Sequence, residues 1–551
     1  MKKGRFYDDL LTLTKSLVAI PSVSPSAGEN AMADAVYDWL RRIPYFEEYP
    51  GQLWMEPVPG DPLGRKNVFA LLKGAGDSER TVLCHGHLDT VPYDDYGSLK
   101  NKALSCDDLP EALAGLSLPE DMKQDLASGE WLFGRGACDM KSGDAILMVL
   151  AKYLAARRDQ LDGNVLFLFT CDEEAENNGM MAAVPTISDI LMKEGLTPVL
   201  ALNNDYVGPL YEGDPNLYIY TGTVGKVLAS FYVLGVETHV GRLFEGVSAA
   251  AMAARLTDAI DANPDLSDSY DGEFCQPPAL LKLKDLKAGY NVQTARSAFL
   301  YFNVLLHEKE VKTVLTELKD IAASSLTSYL KEQEEKSRAF STRSGSPMIP
   351  IKKELTVVTY DELCEKARAA GIDPDKEAAA IAEKGLADGM DKRDIACRIV
   401  SALSDAVHLT GPAAVLFLAP PYCPGNTMRP DLPGEKDARQ AIERLAAGCA
   451  ETEGESIEVR HFFPCISDAS YVKIDDSDES VRAIEENLPA LPSLYPIPIK
   501  TIRHLSIPAV NMGVYGKGAH TWQERLYLPY SFNVLPELIL QTLLRFTSGK
   551  E

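Results

Sequence analysis

From Val68 to Tyr206 the chain alternates short, almost wholly apolar runs with longer stretches in which apolar positions recur every three or four residues. The runs "NVFALLK" (67–73), "TVLCHGHLD" (81–89), "NVLFLFTCD" (164–172) and "PVLALNND" (198–205) predict strands. Their lack of polar alternation fits strands buried on both faces. Between them "SGDAILMVLAKYLAARRD" (142–159) and "MMAAVPTISDILMKEG" (180–195) predict helices. This order predicts an α/β unit, a mostly parallel sheet with helices on both faces. A first helix carries Leu10, Leu11, Leu13 and Leu17 and ends before Pro21. The polar loop 93–130 holds two proline-started helical turns and is long enough to suggest either a function or a plain insertion.

After Tyr206 the pattern changes. "NLYIYTGTVGKVLASFYVLGVE" (216–237) alternates as antiparallel strands do, and "GVSAAAMAARLTDAI" (246–260) has a helical period. The strand "SAFLYFNVLL" (297–306) and the amphipathic run 308–330 repeat that order. Two strand–helix units predict an inserted α+β domain over 216–428, with an extra charged helical segment at about 331–409. The α/β texture resumes in "DARQAIERLAAGCA" (437–450) and "IPAVNMGVYG" (507–516). The α/β domain is therefore expected in two parts, 1–215 and 429–551.

A chain of 551 residues exceeds one core, which agrees with this division. Apolar content of 46% and charged content of 25% fit a globular protein, and the net charge of −25 argues against nucleic acid or an anionic membrane as partner. No apolar run approaches the ~20 residues that span a bilayer. Asp8 and Asp9 interrupt the basic start before a leader's apolar region could form. The ten cysteines include no C-x-x-C pair, so a reduced, cytoplasmic setting is the simplest reading.

The candidate chemistry lies at the carboxyl ends of the predicted strands, where open α/β sheets place their sites. "VLCHGHLDTVP" (82–92) puts His87 and Asp89 on one face of a strand end, so that one can bind a metal and the other orient it. A hydrogen-bonded turn would also account for them. Asp139 follows a glycine-rich turn in "WLFGRGACDMKSGDA" (131–145) and reads as a ligand or as a helix N-cap. Asp172, Glu173 and Glu174 end an apolar strand, where their mutual repulsion calls for a cation. Asp205 closes another strand or makes a turn, and His520 sits in a glycine-flanked loop with Glu524 one helical turn on. Mixed nitrogen and oxygen donors fit zinc, with cobalt or manganese as alternatives. A carboxylate such as Asp139 can bridge two ions.

In this order the blocks G-H-L-D-T-V-P, W-L-F-G-R-G-A-C-D-M-K-S-G, D-E-E, Asp205 and G-A-H with a glutamate four residues on resemble the di-zinc aminoacylase/carboxypeptidase metallopeptidases. That group includes glutamate carboxypeptidase, succinyl-diaminopimelate desuccinylase, peptidase T and the PepV dipeptidase. "LVAIPSVSPSAGEN" (17–30) is similar to the family's opening. The length, the 93–130 insertion and "FFPCISDASY" (462–471) look most like its arginine-utilisation (RocB) branch. The resemblance implies His87, Asp139 and Asp205 as ligands of one metal, and bridging Asp139 with Glu174 and His520 as ligands of the other. It casts Asp89 as the orienter of His87 and Glu173 as the general base, and leaves His85 without a role. His239 in "GVETHVGRLFEGVSAA" (235–250) matches the histidine that stabilises the oxyanion, often from a neighbouring subunit, and Asn291 in "YNVQT" (290–294) a substrate contact. The family's D-x-R on the lid strand reads "YFNVLL" here, and "LAPPYCPGNT" stands where some members carry a carboxylate-binding arginine. A free α-carboxylate on the substrate is therefore not implied.

These readings imply a cytoplasmic two-metal hydrolase that cleaves an amide bond of a small peptide or N-acyl amino acid, in amino-acid or arginine degradation. A homodimer through the lid domain is expected. The alternative is a catalytically silent binding or regulatory protein that keeps the fold. Phosphate or carbohydrate hydrolysis is disfavoured because no phosphate-cradling glycine loop is present.

Overall fold

Residues 3–352, 354–453 and 455–548 are described by the computed structural model. The chain forms two units, Met1–Thr223 with Asn426–Ile474 and Pro498–Glu551, and Val224–Gly425 with Asp475–Ile497.

The first unit is built on an eight-stranded sheet. From edge to edge its strands are Leu53–Pro57, Lys66–Lys73, Asn164–Thr170, Arg80–His87, Thr197–Asn203, Ala509–Asn511, Leu217–Tyr220 and Ile457–Arg460. The four central strands, Asn164–Thr170 to Ala509–Asn511, run parallel. Antiparallel pairs flank them, so the sheet is mixed. Strand Arg80–His87 is buried at every position after Arg80, as its unbroken apolar run requires. Val82, Cys84, Val165 and Phe167 share a core with Ile146 and Leu150 of helix Lys141–Ala155 and with Leu538 and Leu543 of helix Leu535–Thr547. Helix Asn178–Glu194 packs on Lys66–Lys73 and Asn164–Thr170. Burial of each such leucine or valine stabilises the unit by ~1.5–3 kcal/mol. This layering fixes the carboxyl ends of the parallel strands, where the candidate ligands follow.

The second unit carries a five-stranded sheet in the order Ala279–Asp285, Ser297–Leu306, Gly225–Leu234, Ala413–Cys423 and Thr356–Thr359. All its pairings are antiparallel except the last. The segment expected to be an extra helical decoration contributes that last strand and also a layer of helices. Ile395, Val400 and Leu403 of helix Lys392–Ala406 pack with Leu228, Tyr232 and Phe417 of the sheet. Strand Ala279–Asp285, at the other edge, has alternately exposed residues.

Two boundaries differ from the sequence reading. Leu217–Tyr220, read as the first strand of the inserted domain, pairs in parallel with Ile457–Arg460 in the first unit. All four of its residues are buried and Tyr218 and Tyr220 cluster with Phe463, so it is a buried strand of the first unit's sheet and not a half-exposed one. Residues 475–497, read with the C-terminal catalytic part, fall in the second unit, where helix Asp478–Asn487 lays Val481 and Ile484 inward and packs against helix Val311–Ser344. Among the described residues no helix is long and apolar enough to cross a membrane.

Candidate metal centre

Strand Arg80–His87 ends on His87, whose buried ring points Nε2 at Asp139 Oδ1 (3.2 Å) and Asp205 Oδ1 (3.6 Å). Asp139 lies in the turn between strand Trp131–Phe133 and helix Lys141–Ala155. Gly136 makes that turn with φ +77°, and a Cβ there would meet Thr90 Cγ2 at 2.8 Å, so only glycine fits. The second carboxylate oxygen of Asp139 lies 3.1 Å from His520 Nε2, which in turn lies 3.0 Å from Glu174 Oε2. Two groups result, His87–Asp139–Asp205 and Asp139–Glu174–His520, each with ligand atoms within 4.8 Å of one another. They share Asp139, one oxygen facing each.

Asp89 ties the glutamate pair to the His87 strand. Its carboxylate accepts the backbone N–H groups of Glu173 (3.2 Å) and Glu174 (3.0 Å). Its main-chain carbonyl lies 3.2 Å from His87 Nδ1, and its carboxylate is farther from that nitrogen, at 3.6 Å. The main chain of Asp89 thus makes the shorter contact with the histidine, and the carboxylate holds the loop of the two glutamates.

The electrostatics are those of a site short of positive charge. Burial pushes the Glu173 carboxyl well above the usual range and Asp205, Glu174 and Asp468 add to this, while His87 opposes it. Burial likewise raises Glu174 to about 7, with Asp139 adding and His520 opposing. Hydrogen bonds to Asp139 and Glu174 lift His520 to about 11. Glu174 Oε1 is buried and has no hydrogen-bond partner among the described residues. Carboxylates crowded around two imidazoles, one with a spare oxygen, form a nitrogen and oxygen donor set that suits divalent cations such as zinc.

His239 and Asn291 lie in the second unit, on neighbouring segments joined by a bridge between His239 and Gln293. Both are exposed. Nδ1 of His239 accepts the Gly241 N–H (3.0 Å), which leaves the ring proton of the neutral side chain on Nε2. Asn291 exchanges hydrogen bonds with Gln293. The helical turn expected between His520 and Glu524 is absent: strands Gly516–Lys517 and Arg525–Tyr527 form a hairpin with His520 near its tip. A glycine-flanked tip with φ +69° at Gly518 and +63° at His520 reverses the chain instead of starting a helix. Glu524 turns inward from it, and its Oε1 accepts the amides of Cys138 (3.2 Å) and Asp139 (3.4 Å).

Three features escaped the sequence reading. Buried Arg65 contacts Asp61, Glu29 and Asp172, the residue before Glu173. Buried Asp468 bonds Thr170 at the end of a central strand. Arg135 pairs with Glu524 at 2.8 Å. Glu29 and Asp172 lie 36 and 107 residues from Arg65 in the chain, so no local pattern marks those two pairings. Asp468 had a local signal, a lone carboxylate among small residues in "ISDASY".

The chain matches peptidase family M20/M25/M40 over residues 83–451. It is 36% identical over 533 residues to protein RocB of Bacillus subtilis (strain 168), covering 96% of this chain and 93% of RocB. It is 34% identical over 544 residues to uncharacterized protein YqjN of the same organism, covering 97% and 96%. Aminopeptidase PepT from Bacillus cereus ATCC 10987 has a similar fold, with a TM-score of 0.52 at 14% identity over 98% of this chain and 99% of that one.

Proposed function

The chain belongs to peptidase family M20/M25/M40, and on that premise we propose that it is a two-metal hydrolase of amide bonds in small peptides or N-acyl amino acids. The observation that carries the reading is the position of Asp139, with its two oxygens 3.2 Å and 3.1 Å from the imidazoles of two different ligand groups. Zinc ions, with cobalt or manganese as alternatives, would be held by His87, Asp139 and Asp205 and by Asp139, Glu174 and His520, and when bound supply Lewis acidity that eases deprotonation of water and polarises a carbonyl.

The chain's own residues do the rest. Glu173 Oε2 stands 4.0 Å from His87 Nε2 at the edge of the ligand groups without belonging to either, a suitable place for a general base. From that place it can take a proton from the attacking water and return it to the leaving amine. Asp89 fixes where Glu173 stands through the backbone amide. His239, with its proton on Nε2, is a donor for the developing oxyanion, and Asn291 on the adjoining segment is a donor or acceptor for the substrate. We assign His239 to a partner copy in a homodimer formed through the second unit. The exposed edge strand Ala279–Asp285, with Leu281 and Leu283 exposed, is the element open to pairing.

The resemblance of the sequence to the arginine-utilisation branch supports a role in arginine or amino-acid degradation, and the unpaired cysteine pattern a cytoplasmic setting. The test is metal analysis with turnover on a panel of dipeptides and N-acyl amino acids. Bound metal without amide cleavage on any member would leave the fold as a binding or regulatory protein.

A further inference from the structure

The exposed His520 is the exception among the candidate ligands. Its side chain is 54% exposed, whereas those of His87, Asp139, Glu174 and Asp205 are 2–10% exposed. It is carried by a hairpin with only two residue pairs, Gly516↔Leu526 and Lys517↔Arg525, too short to hold a shape alone. We propose that segment 93–130 is a brace for this hairpin, and that Asp121 and Asp125 are positioning residues for the ligand group of His520. This rests on the metal reading of that group.

Helix Glu120–Ser128 of the segment reaches both hairpin strands. Arg525, 1% exposed, donates from Nε to Asp125 Oδ2 (2.7 Å) and from Nη2 to Asp121 Oδ2 (2.7 Å). Lys517, on the facing strand, donates to the same Asp125 oxygen (3.0 Å). One carboxylate therefore clips the two strands together. Strand Trp131–Phe133, which directly follows the segment, pairs with Arg525–Tyr527, and Trp522 from the hairpin tip packs on the segment's own core of Leu109, Leu113 and Met122.

A second strut ends on the bridging ligand. Asp95 in the segment accepts two hydrogen bonds from Arg135 Nη2 (3.0 and 3.2 Å), and Arg135 Nη1 donates to Glu524 (2.8 Å). Glu524 in turn accepts the backbone amide of Asp139. The segment thus supports Asp139 on one side and the His520 hairpin on the other, while among the described residues no hydrogen bond joins it to His87 or Asp205. Partners that orient a ligand are worth about 10–100-fold in metal affinity, and for Asp121 and Asp125, which hold only the His520 hairpin, the effect falls on one ion of two.

The test uses the full chain with Asp121→Asn and Asp125→Asn together, and the half-exposed Asp121→Asn alone in case the pair does not fold. Zinc titration of the metal-free protein is read beside amide hydrogen exchange. The double variant is expected to bind one zinc as the wild type does and the other about 10–100-fold more weakly, with faster exchange confined to 516–527 and none gained in 80–87. The single variant moves the same two readouts less. Equal loss of both ions, or two wild-type affinities with unchanged exchange, overturns the brace. Wild-type protein that takes up fewer than two zinc ions removes the metal reading instead, and the exchange pattern alone then decides the brace.

Discussion

Arg65 donates a 2.5 Å hydrogen bond to Asp172, and both side chains are buried, at 5% and 2% exposure. The same guanidinium holds Asp61 at 2.7 Å and Glu29 at 3.2 Å, and Glu29 accepts the backbone amide of Asp172. Asp172, with φ +67°, opens the loop of Glu173 and Glu174, so the base and one ligand stand on a buried charge lattice. Removing the cation that Glu29, Asp61 and Asp172 share leaves carboxylates buried without a charge partner among the described residues. Arg65→Ala is expected to destabilise the protein by ~3–5 kcal/mol, and Arg65→Lys by less. A thermal unfolding midpoint for Arg65→Ala equal to that of the wild type refutes this.

Metal content follows from the shared ligand. Protein reconstituted with zinc is expected to hold two ions per chain, His87→Ala and His520→Ala each to lose at least one, and Asp139→Ala to lose affinity for both. Elemental analysis of the purified variants decides it. Full occupancy in both histidine variants would show that the groups are not ligand sets.

The adjacent glutamates divide the work. Glu173→Gln is expected to keep the metals and the fold while losing roughly 10²-fold or more in turnover. Glu174→Gln is expected to weaken metal binding first. Matching phenotypes, read from kcat beside metal titrations, would remove the division.

His85 supplies a pH dependence. Burial pushes it down to about 3, whereas in the unfolded chain it titrates near 6.5. Below pH 6.5 the unfolded state takes up a proton that the folded state refuses, so stability falls as pH drops from 6.5 towards 3. The loss is about 1.4 kcal/mol per pH unit. Between pH 7 and pH 5 the wild type should therefore lose about 2 kcal/mol more than His85→Leu. Parallel losses in denaturant titrations at the two pH values would place His85 in a wetter setting than its burial indicates.

His239 tests the assembly. Inactive Glu173→Gln and His239→Ala chains, mixed under conditions of subunit exchange, are expected to recover activity if each supplies what the other lacks. A monomer that stays fully active excludes a histidine acting from the partner.

Strands with unbroken apolar runs were legible because burial on both faces leaves no other composition, and Arg80–His87 and Asn164–Thr170 lie within two residues of where the sequence puts them. His87, Asp139, Asp205, His520 and the run 172–174 were legible as candidates because each sits where a strand or glycine turn ends. The choice of ligands among them came from the family resemblance, and the structure brings His87, Asp139, Asp205, Glu174 and His520 into two groups. Leu217–Tyr220 was misread because four apolar residues carry no record of which sheet buries them. The pairings of Arg65 with Asp172 and Arg525 with Asp125 were invisible for the same reason, since each joins distant charges that would look solvated in isolation.

Strand Ala509–Asn511 lies inside the sheet, between Thr197–Asn203 and Leu217–Tyr220, although it is made some 300 residues after them. On the ribosome the edge of Thr197–Asn203 stays open throughout translation of the second unit. His520 is made later still, so the centre cannot close before the last part of the first unit has been synthesised. For that interval the nascent chain carries an unpaired, apolar strand edge, the kind of surface that other chains pair with, and a chaperone holding the nascent chain has its natural target there.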